Sequence, residues 1–454
     1  MKLAVIGGGG VRSLFLAKSL AQNANELGIS TLAFMDSDSE KLNIYGRLAK
    51  QTALIINPDI EFALTTDAKD AVSQADYVIT TIREGGDEMR VRDERIALSH
   101  GVLGQETTGA AGLSFAIRSV QALAEYCELI KLYAKPDCRV FNFTNPAGVV
   151  SQTLRDMGYG FTYGICDAPT GMLRSFEKLY GVPEGSMKGE VYGLNHLSYF
   201  SSITLDGKEV MQDIIDNDEA YVKTDMRYFE KELLKERKCV LNEYLYYFYY
   251  REKALENILN ADKTRGEQIL EINRFMTDEL RGVDVENDFE KALQIFEHWY
   301  GIRENNYMAS ETGVKREAPW KFDVYKKENG GYAGVALEYI RLQKSGKRGS
   351  MILCTENGGA IKGLRDDDVV EITCDVTENG VIPHSFDNID EQHLEIIRRV
   401  KIYERLASYA IRKKSITAAV EALTLHPLVN SYSLAKKLIG EYMELNKNYT
   451  KDWK

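Results

Sequence analysis

The segment KLAVIGGGGVRSLFLAKSLAQNA, residues 2–24, constrains the fold more than any other stretch of the chain. KLAVI reads as a buried strand, GGGG as a tight turn, and the remainder as a helix with apolar residues at helical spacing. A glycine turn between a strand and a helix lets the backbone approach a pyrophosphate, and the helix start offers orphan N–H groups. Gly7 and Gly9 take the first two positions of G-x-G-x-x-G, and the third falls on Arg12, a departure from the pattern. TLAFMD follows as a second strand and ends on Asp36. A carboxylate there hydrogen-bonds adenine-ribose hydroxyls and repels a 2′-phosphate, so NAD is expected rather than NADP. The strand–turn–helix–strand–Asp order weighs against a turn that binds nothing.

The alternation continues. EFALTTD, YVITTI at 77–82, VFNFTN at 140–145 and FTYGIC at 161–166 read as strands separated by helices, which implies βαβ units and a parallel sheet. Near residue 190 the texture changes. VYGLNHLSYFSSITLDGKEV reads as antiparallel strands with an Asp-Gly turn, and residues 217–320 as mostly helical. MILCTENGGAIKGLRDDDVVEITCDVTENGVIP returns to strands, and the chain from about 389 is helical. The expected fold is α/β. Residues 1–190 form an NAD-binding, Rossmann-like parallel sheet, and 191–454 a C-terminal α+β catalytic and substrate domain.

A net charge of −11 and a pI near 5.3 argue against a nucleic-acid partner, which needs a clustered basic surface. No apolar run approaches the roughly 18 residues of a membrane helix, and MKLAVIGGGG reads as a strand rather than a secretory leader. The six cysteines form no CxxC and no disulfide framework, so a cytoplasmic protein with free thiols is expected. Cys166 in GICDAP is, taken alone, a small buried hydrophobe before a helix, the common fate of a lone cysteine.

Further stretches change that reading. TIREGGDEMRVRDE (81–94), GVLGQETTGAAGL (101–113), FNFTNPAG (141–148), GICDAP, YGLNHLS (192–198), NEYLYYFYY (242–250), KTRGE (263–267) and ENGGAI (356–361) occur in this order. Together they resemble the NAD-dependent glycoside hydrolases of family four, of the 6-phospho-glucosidase type, over nearly the whole chain. The family departs from two-carboxylate glycosidases and resembles lactate and malate dehydrogenases in architecture. The resemblance implies that Cys166 and His196 bind a divalent metal, Mn2+ foremost and replaceable by other divalent ions. It implies NAD contacts from Gly7, Gly8, Gly9, Gly10, Val11, Arg12, Asp36 and Arg83. It implies substrate contacts from Arg90, Asn145 and Arg265, the last suited to a sugar 6-phosphate because a guanidinium fork matches phosphate. For Arg90 a surface ion pair, and for Asn145 a simple turn, are the plainer alternatives.

The implied reaction oxidises C3 of the sugar with NAD, removes the C2 proton, expels the C1 substituent, adds water and returns the hydride. Tyr244, at the head of YLYYF, is the implied base, with Glu106 of GQET beside it. An ordinary Tyr pKa near 10 is too high for that role without a nearby cation. Asp167 follows the metal-binding Cys as in α-linked members, where it is the general acid; the overall likeness is to β-specific ones. The expected substrate is therefore a phosphorylated β-glucoside, with the α-linked substrate as alternative, and the assembly a homodimer or homotetramer without membrane or nucleic-acid partners. A plain NAD-dependent hydroxy-acid dehydrogenase needs no metal-binding Cys. An NAD-sensing regulator has no use for Cys166, His196, Tyr244 and Arg265 together.

Overall fold

Strands β1 (Lys2–Ile6), β2 (Thr31–Met35), β3 (Glu61–Thr65), β4 (Tyr77–Thr80), β5 (Arg139–Asn142) and β6 (Thr162–Gly164) of the computed structural model form one parallel sheet, in the order β3-β2-β1-β4-β5-β6. The structure describes residues 1–316, 319–328, 331–378 and 380–454. Chain order reverses between β1 and β4, and an open parallel sheet leaves a crevice at the carboxyl ends of its strands at such a point. β1 and β2 are buried along nearly their whole length, as strands covered on both faces must be.

The glycine turn sits at that crevice. Gly7 has φ +99, and a Cβ there would meet Thr81 O at 2.4 Å. A Cβ on Gly9 would stand 2.9 Å from both Asp36 Oδ2 and Leu42 N. Both positions therefore require glycine, one for its backbone angle and the other for the close approach of Asp36. The helix Ser13–Leu27 follows and packs its buried face on the sheet.

A second sheet is antiparallel: β7 (Met187–Leu194), β8 (Leu197–Leu205), β9 (Lys208–Glu209) and β10 (Val240–Leu241), with the path β10-β8-β7 and β9 beside β8. The expected strands after residue 348 do not make a third sheet. β11 (Gly349–Glu356), β12 (Val369–Thr377) and β13 (Gly380–Pro383) extend the first sheet antiparallel beyond β6, through the pair Cys354 and Gly164. The nine-stranded sheet thus draws on both sides of the boundary expected at 190/191. The physical reason is edge cover: β6 is three residues long, and β11 shields the backbone groups it would leave exposed. Strand texture in a sequence does not name the pairing partner.

The largest apolar cluster also spans both halves, joining Leu113 and Val149 to Tyr192, Tyr403 and Leu438. Helices Arg265–Arg281 and Phe289–Asn305 pack on each other and face the crevice. Helices Glu391–Lys413, Ile416–Leu425 and Tyr432–Leu445 fold back on the first half. Among the described residues no helix is long and apolar enough to cross a membrane.

Candidate active site

A cleft of about 370 Å3 opens at the carboxyl ends of β1 and β4 and extends to the helix Arg265–Arg281. Gly7, Gly9, Gly10, Val11, Arg12 and Asp36 line it on the first-sheet side. Asp36 is held by two backbone donors, Gly9 N–H at 2.9 Å and Asp38 N–H at 3.0 Å. Burial raises its carboxyl above the usual range. Gly8 differs from its neighbours: its N–H donates to Met35 O at 2.7 Å, and a Cβ there would meet Phe34 Cβ at 2.7 Å, so it packs on β2 and does not line the cleft. Arg12 Nη1 donates to Tyr332 Oη at 3.0 Å, and the Tyr332 ring stacks on Phe143 at 4.9 Å. No local motif singles out Tyr332.

The middle of the cleft carries Arg83, Arg90, Glu106 and Asn145. Arg83 grips the Glu106 carboxylate with both Nη atoms, the second at 3.0 Å. Arg90 donates to Glu94 at 3.0 Å and stands 3.5 Å from Glu106. Burial alone would raise Glu106, but Arg83 and Arg90 override it and hold the carboxyl far below its usual range. Glu106, expected beside Tyr244, is thus engaged by guanidinium groups. Arg90 is no surface ion-pair residue; both of its partners face the cleft. Asn145 precedes the helix Ala147–Asp156 and also lines the cleft.

Arg265 is placed by its helix. Thr264 and Glu267 form a reciprocal capping box, with Glu267 N–H to Thr264 Oγ1 at 3.2 Å and Thr264 N–H to Glu267 Oε2 at 2.8 Å. This fixes Arg265 at the first helical position. Its guanidinium donates to Asn306 O at 3.2 Å and Arg303 O at 3.1 Å. Burial, Arg303 and Arg90 lower its pKa to about 10. A cation crowded by cations is a ready anion site. Arg303 also lines the cleft, its Nε buried and without a partner among the described residues; no local motif singles it out.

Tyr244 lies in a 3-10 turn, Glu243–Leu245, ahead of the short helix Tyr246–Tyr249 and a break at Tyr250. NEYLYYFYY therefore holds a 3-10 turn and a four-residue helix, and the next helix, Arg251–Asn260, starts only after it. Asn242 caps the turn by accepting the Tyr244 N–H at 3.0 Å. The Tyr244 ring stacks face to face on His196, centroids 3.6 Å apart and planes 2° from parallel. Its hydroxyl accepts from Tyr307 Oη at 3.1 Å, and Tyr307 also lies 3.3 Å from Glu243 Oε1. Burial and Glu243 push the Tyr244 hydroxyl up, so it keeps its proton until a cation stands nearby.

His196 occupies the two-residue turn between β7 and β8 with φ +63. Its Nε2 lies 3.3 Å from Cys166 Sγ, which comes from the end of β6. Two cis ligands of one metal ion stand about this far apart, given metal–nitrogen and metal–sulfur bonds of about 2.0–2.3 Å. Burial lowers His196 to about 3, leaving the neutral imidazole that a metal needs. Burial, Glu371 and Asp167 push the Cys166 thiol up, and their negative field favours a cation. His196 Nδ1 and Asn195 Oδ1 are buried and find no hydrogen-bond partner among the described residues. Among the described residues no three His, Cys, Asp or Glu side chains gather around one point. The pair fits a divalent ion with most of its coordination left open for substrate and water, as open catalytic sites have. Asp167, next to Cys166, begins the helix Ala168–Tyr180 with an exposed side chain that makes no cap bond.

Known proteins resemble this chain over nearly its whole length. Residues 2–182 match the model of the family 4 glycosyl hydrolases, and residues 191–429 the C-terminal domain of the same family. The 6-phospho-β-glucosidase of Thermotoga maritima is 28% identical over 99% of this chain and 100% of its own. Its structure with NAD and glucose 6-phosphate superposes with a TM-score of 0.82, covering 99% of both chains. A second form of it holds manganese, NAD+ and glucose 6-phosphate. A phospho-α-glucosidase of Clostridium acetobutylicum is 26% identical over 98% of each chain. A lactate dehydrogenase from a deep-sea metagenome shares the fold at a TM-score of 0.51 and 12% identity, covering 90% of this chain and 98% of that one.

Proposed function

Because the chain belongs to family 4 of the glycosyl hydrolases, we propose that this glycosidase converts 6-phospho-β-glucosides, such as phosphorylated cellobiose-type disaccharides, to glucose 6-phosphate and the free aglycone, with NAD and Mn2+ as cofactors. The observation that carries the reading is the convergence of Cys166, His196 and Tyr244, at 3.3 and 3.6 Å, beside a cleft that also holds Asp36 and Arg265. When bound, NAD+ supplies a hydride acceptor for C3 that returns the hydride at the end, and the metal a Lewis-acid contact to the sugar oxygens.

The chain's own residues do the rest. Asp36 takes the adenine-ribose hydroxyls, and the turn from Gly7 to Arg12 faces the pyrophosphate. Arg83 borders the cofactor from the other wall. Arg265 grips the 6-phosphate, while Arg90 and Asn145 hold the sugar. Cys166 Sγ and His196 Nε2 hold the metal. A ketone at C3 acidifies the C2 proton, and Tyr244 Oη removes it. The C1–O bond then breaks, and water adds to C1. Glu106, held as an anion by Arg83 and Arg90, sets the charge of the cleft wall.

Asp167 supports a second reading. Exposed, without a cap bond and next to the metal pair, it can protonate the leaving oxygen of an α-linked substrate. Likeness to the β-glucosidase, at 28% against 26%, favours the β reading. Six free cysteines suit the reducing cytoplasm, and Cys166 requires one. A homodimer or homotetramer is expected and is read by light scattering. A panel of p-nitrophenyl α- and β-glucosides, each with and without 6-phosphate, assayed with NAD+, Mn2+ and a reductant, tests the proposal. The phosphorylated β-glucoside should be cleaved fastest. Faster cleavage of the phosphorylated α-glucoside selects the second reading, and preference for unphosphorylated sugars rejects both.

A further inference from the structure

Glu371 is a carboxylate where a strand would ordinarily carry an apolar residue. It lies in β12 between buried Val370 and Ile372 and is 1% exposed. A buried polar group of this kind persists only where partners meet it. Its two donors come from opposite sides of one turn. Asn195 Nδ2 donates to Oε1 at 2.9 Å, and Ser198 Oγ donates to Oε2 at 2.8 Å. Between them sits His196, whose φ of +63 is uncommon for any residue that carries a side chain. Such a residue holds its conformation where the surroundings over-determine it.

The same network reaches the other reacting group. Asn242 Nδ2 donates to Ser198 Oγ at 3.2 Å, and Asn242 N–H donates to Ser198 O at 3.1 Å. Asn242 Oδ1 in turn accepts the N–H of Tyr244 at 3.0 Å. One carboxylate thus stands at the root of both the turn that carries His196 and the cap that carries Tyr244. Two residues along β12, Thr373 Oγ1 accepts from Val191 N–H at 2.8 Å and donates to Gly189 O at 3.0 Å, so this face of β12 is the seam between the two sheets.

We infer that Glu371 is a positioning residue that clamps the His196 turn through Asn195 and Ser198, holding the imidazole against Cys166 and the Tyr244 ring in the geometry that binds the metal ion. The inference rests on the proposed metal role of Cys166 and His196. A carboxylate does this better than an apolar residue because it accepts from both shoulders of the turn at once. Without it Asn195 Nδ2 loses its acceptor, and Ser198 Oγ keeps only its bond from Asn242.

Mn2+ titrated into the NAD+-saturated protein, with free Mn2+ counted by electron paramagnetic resonance, tests this directly. Loss of a group that orients a metal ligand weakens metal affinity about 10- to 100-fold. Glu371→Ala should show that loss, with NAD+ affinity and the far-ultraviolet spectrum unchanged. Glu371→Gln, which can still accept from Asn195 and donate to Ser198, should recover most of the affinity. Should Glu371→Ala fail to fold, Ser198→Ala removes one arm and the link to Asn242, and should still weaken Mn2+ binding severalfold. A merely structural role would lower thermal stability and leave the Mn2+ affinity of the folded protein intact. Wild-type Mn2+ affinity in folded Glu371→Ala, or in Ser198→Ala where the first does not fold, overturns the clamp alone, provided Cys166→Ser loses the affinity. Wild-type affinity in Cys166→Ser overturns the metal site itself, and the clamp with it.

Discussion

Replacing Arg265 with alanine should separate phosphorylated from unphosphorylated substrates. Two of the five guanidinium N–H groups are committed to the carbonyls of Asn306 and Arg303, at 3.2 and 3.1 Å. Three donors remain for the cleft. The group is buried beside Arg303 and Arg90 with its pKa lowered to about 10, so it stays charged at neutral pH and gains from an incoming dianion. A hydrogen bond to a charged group contributes about 1.5–3 kcal/mol. At about 1.4 kcal/mol per tenfold, losing one such bond lowers kcat/KM about 10- to 150-fold, and losing a bidentate pair lowers it further. The assay compares kcat/KM for p-nitrophenyl β-glucoside 6-phosphate with that for the same glucoside lacking phosphate. Arg265→Lys keeps a point charge without the fork and should fall between wild type and Arg265→Ala. The alanine variant also frees two carbonyls at the end of the helix Phe289–Asn305, a structural cost that both substrates share. An equal loss on the two substrates would therefore refute the phosphate assignment and leave Arg265 a helix-end tether.

Cys166→Ser should abolish both activity and Mn2+ binding with the fold intact by circular dichroism; near-native turnover with Mn2+ would return Cys166 to a packing role. Tyr244→Phe keeps the ring stacked on His196 and deletes the base, so kcat should fall about 10²- to 10⁴-fold at unchanged thermal stability. Arg118→Met should lower the unfolding free energy by about 3–5 kcal/mol, because it strands the buried Asp93 carboxylate and cuts the tie to Asn446. Urea titration reads that loss, and a change under about 1 kcal/mol, the range of exposed pairs, would show that Asp93 is not held by Arg118.

What could be read from the sequence was what local spacing encodes. The glycine turn and Asp36 are visible because a strand, a turn and a helix follow one another within a few dozen residues. Cys166, His196, Tyr244 and Arg265 lie far apart in the chain and were legible only through motifs that occur in a fixed order along it. The Asp206–Gly207 turn between β8 and β9 was legible, but neither the Asn195–His196 turn nor the positive φ of His196 was. Glu371, Tyr307 and Tyr332 were silent because their partners are set by tertiary pairing: β12 joins the first sheet, and Tyr307 follows the helix Phe289–Asn305 into the cleft. A signal for Glu371 did exist, since a lone carboxylate inside the apolar run VVEITC asks for a buried partner. The guanidinium partners of Glu106, Arg83 and Arg90 from a neighbouring helix and its leading turn, were equally silent in the sequence.

The central claim is that the glycosidic bond is broken by elimination after C2 deprotonation, and deuterium incorporation tests it most directly. The protein, with NAD+ and Mn2+, is allowed to turn over p-nitrophenyl β-glucoside 6-phosphate in D2O, and the released glucose 6-phosphate is examined by proton NMR. Deuterium is expected at C2, with both turnover and incorporation lost in Tyr244→Phe. Full retention of the C2 proton in the product, together with an active Tyr244→Phe variant, would contradict both the elimination route and the role of Tyr244.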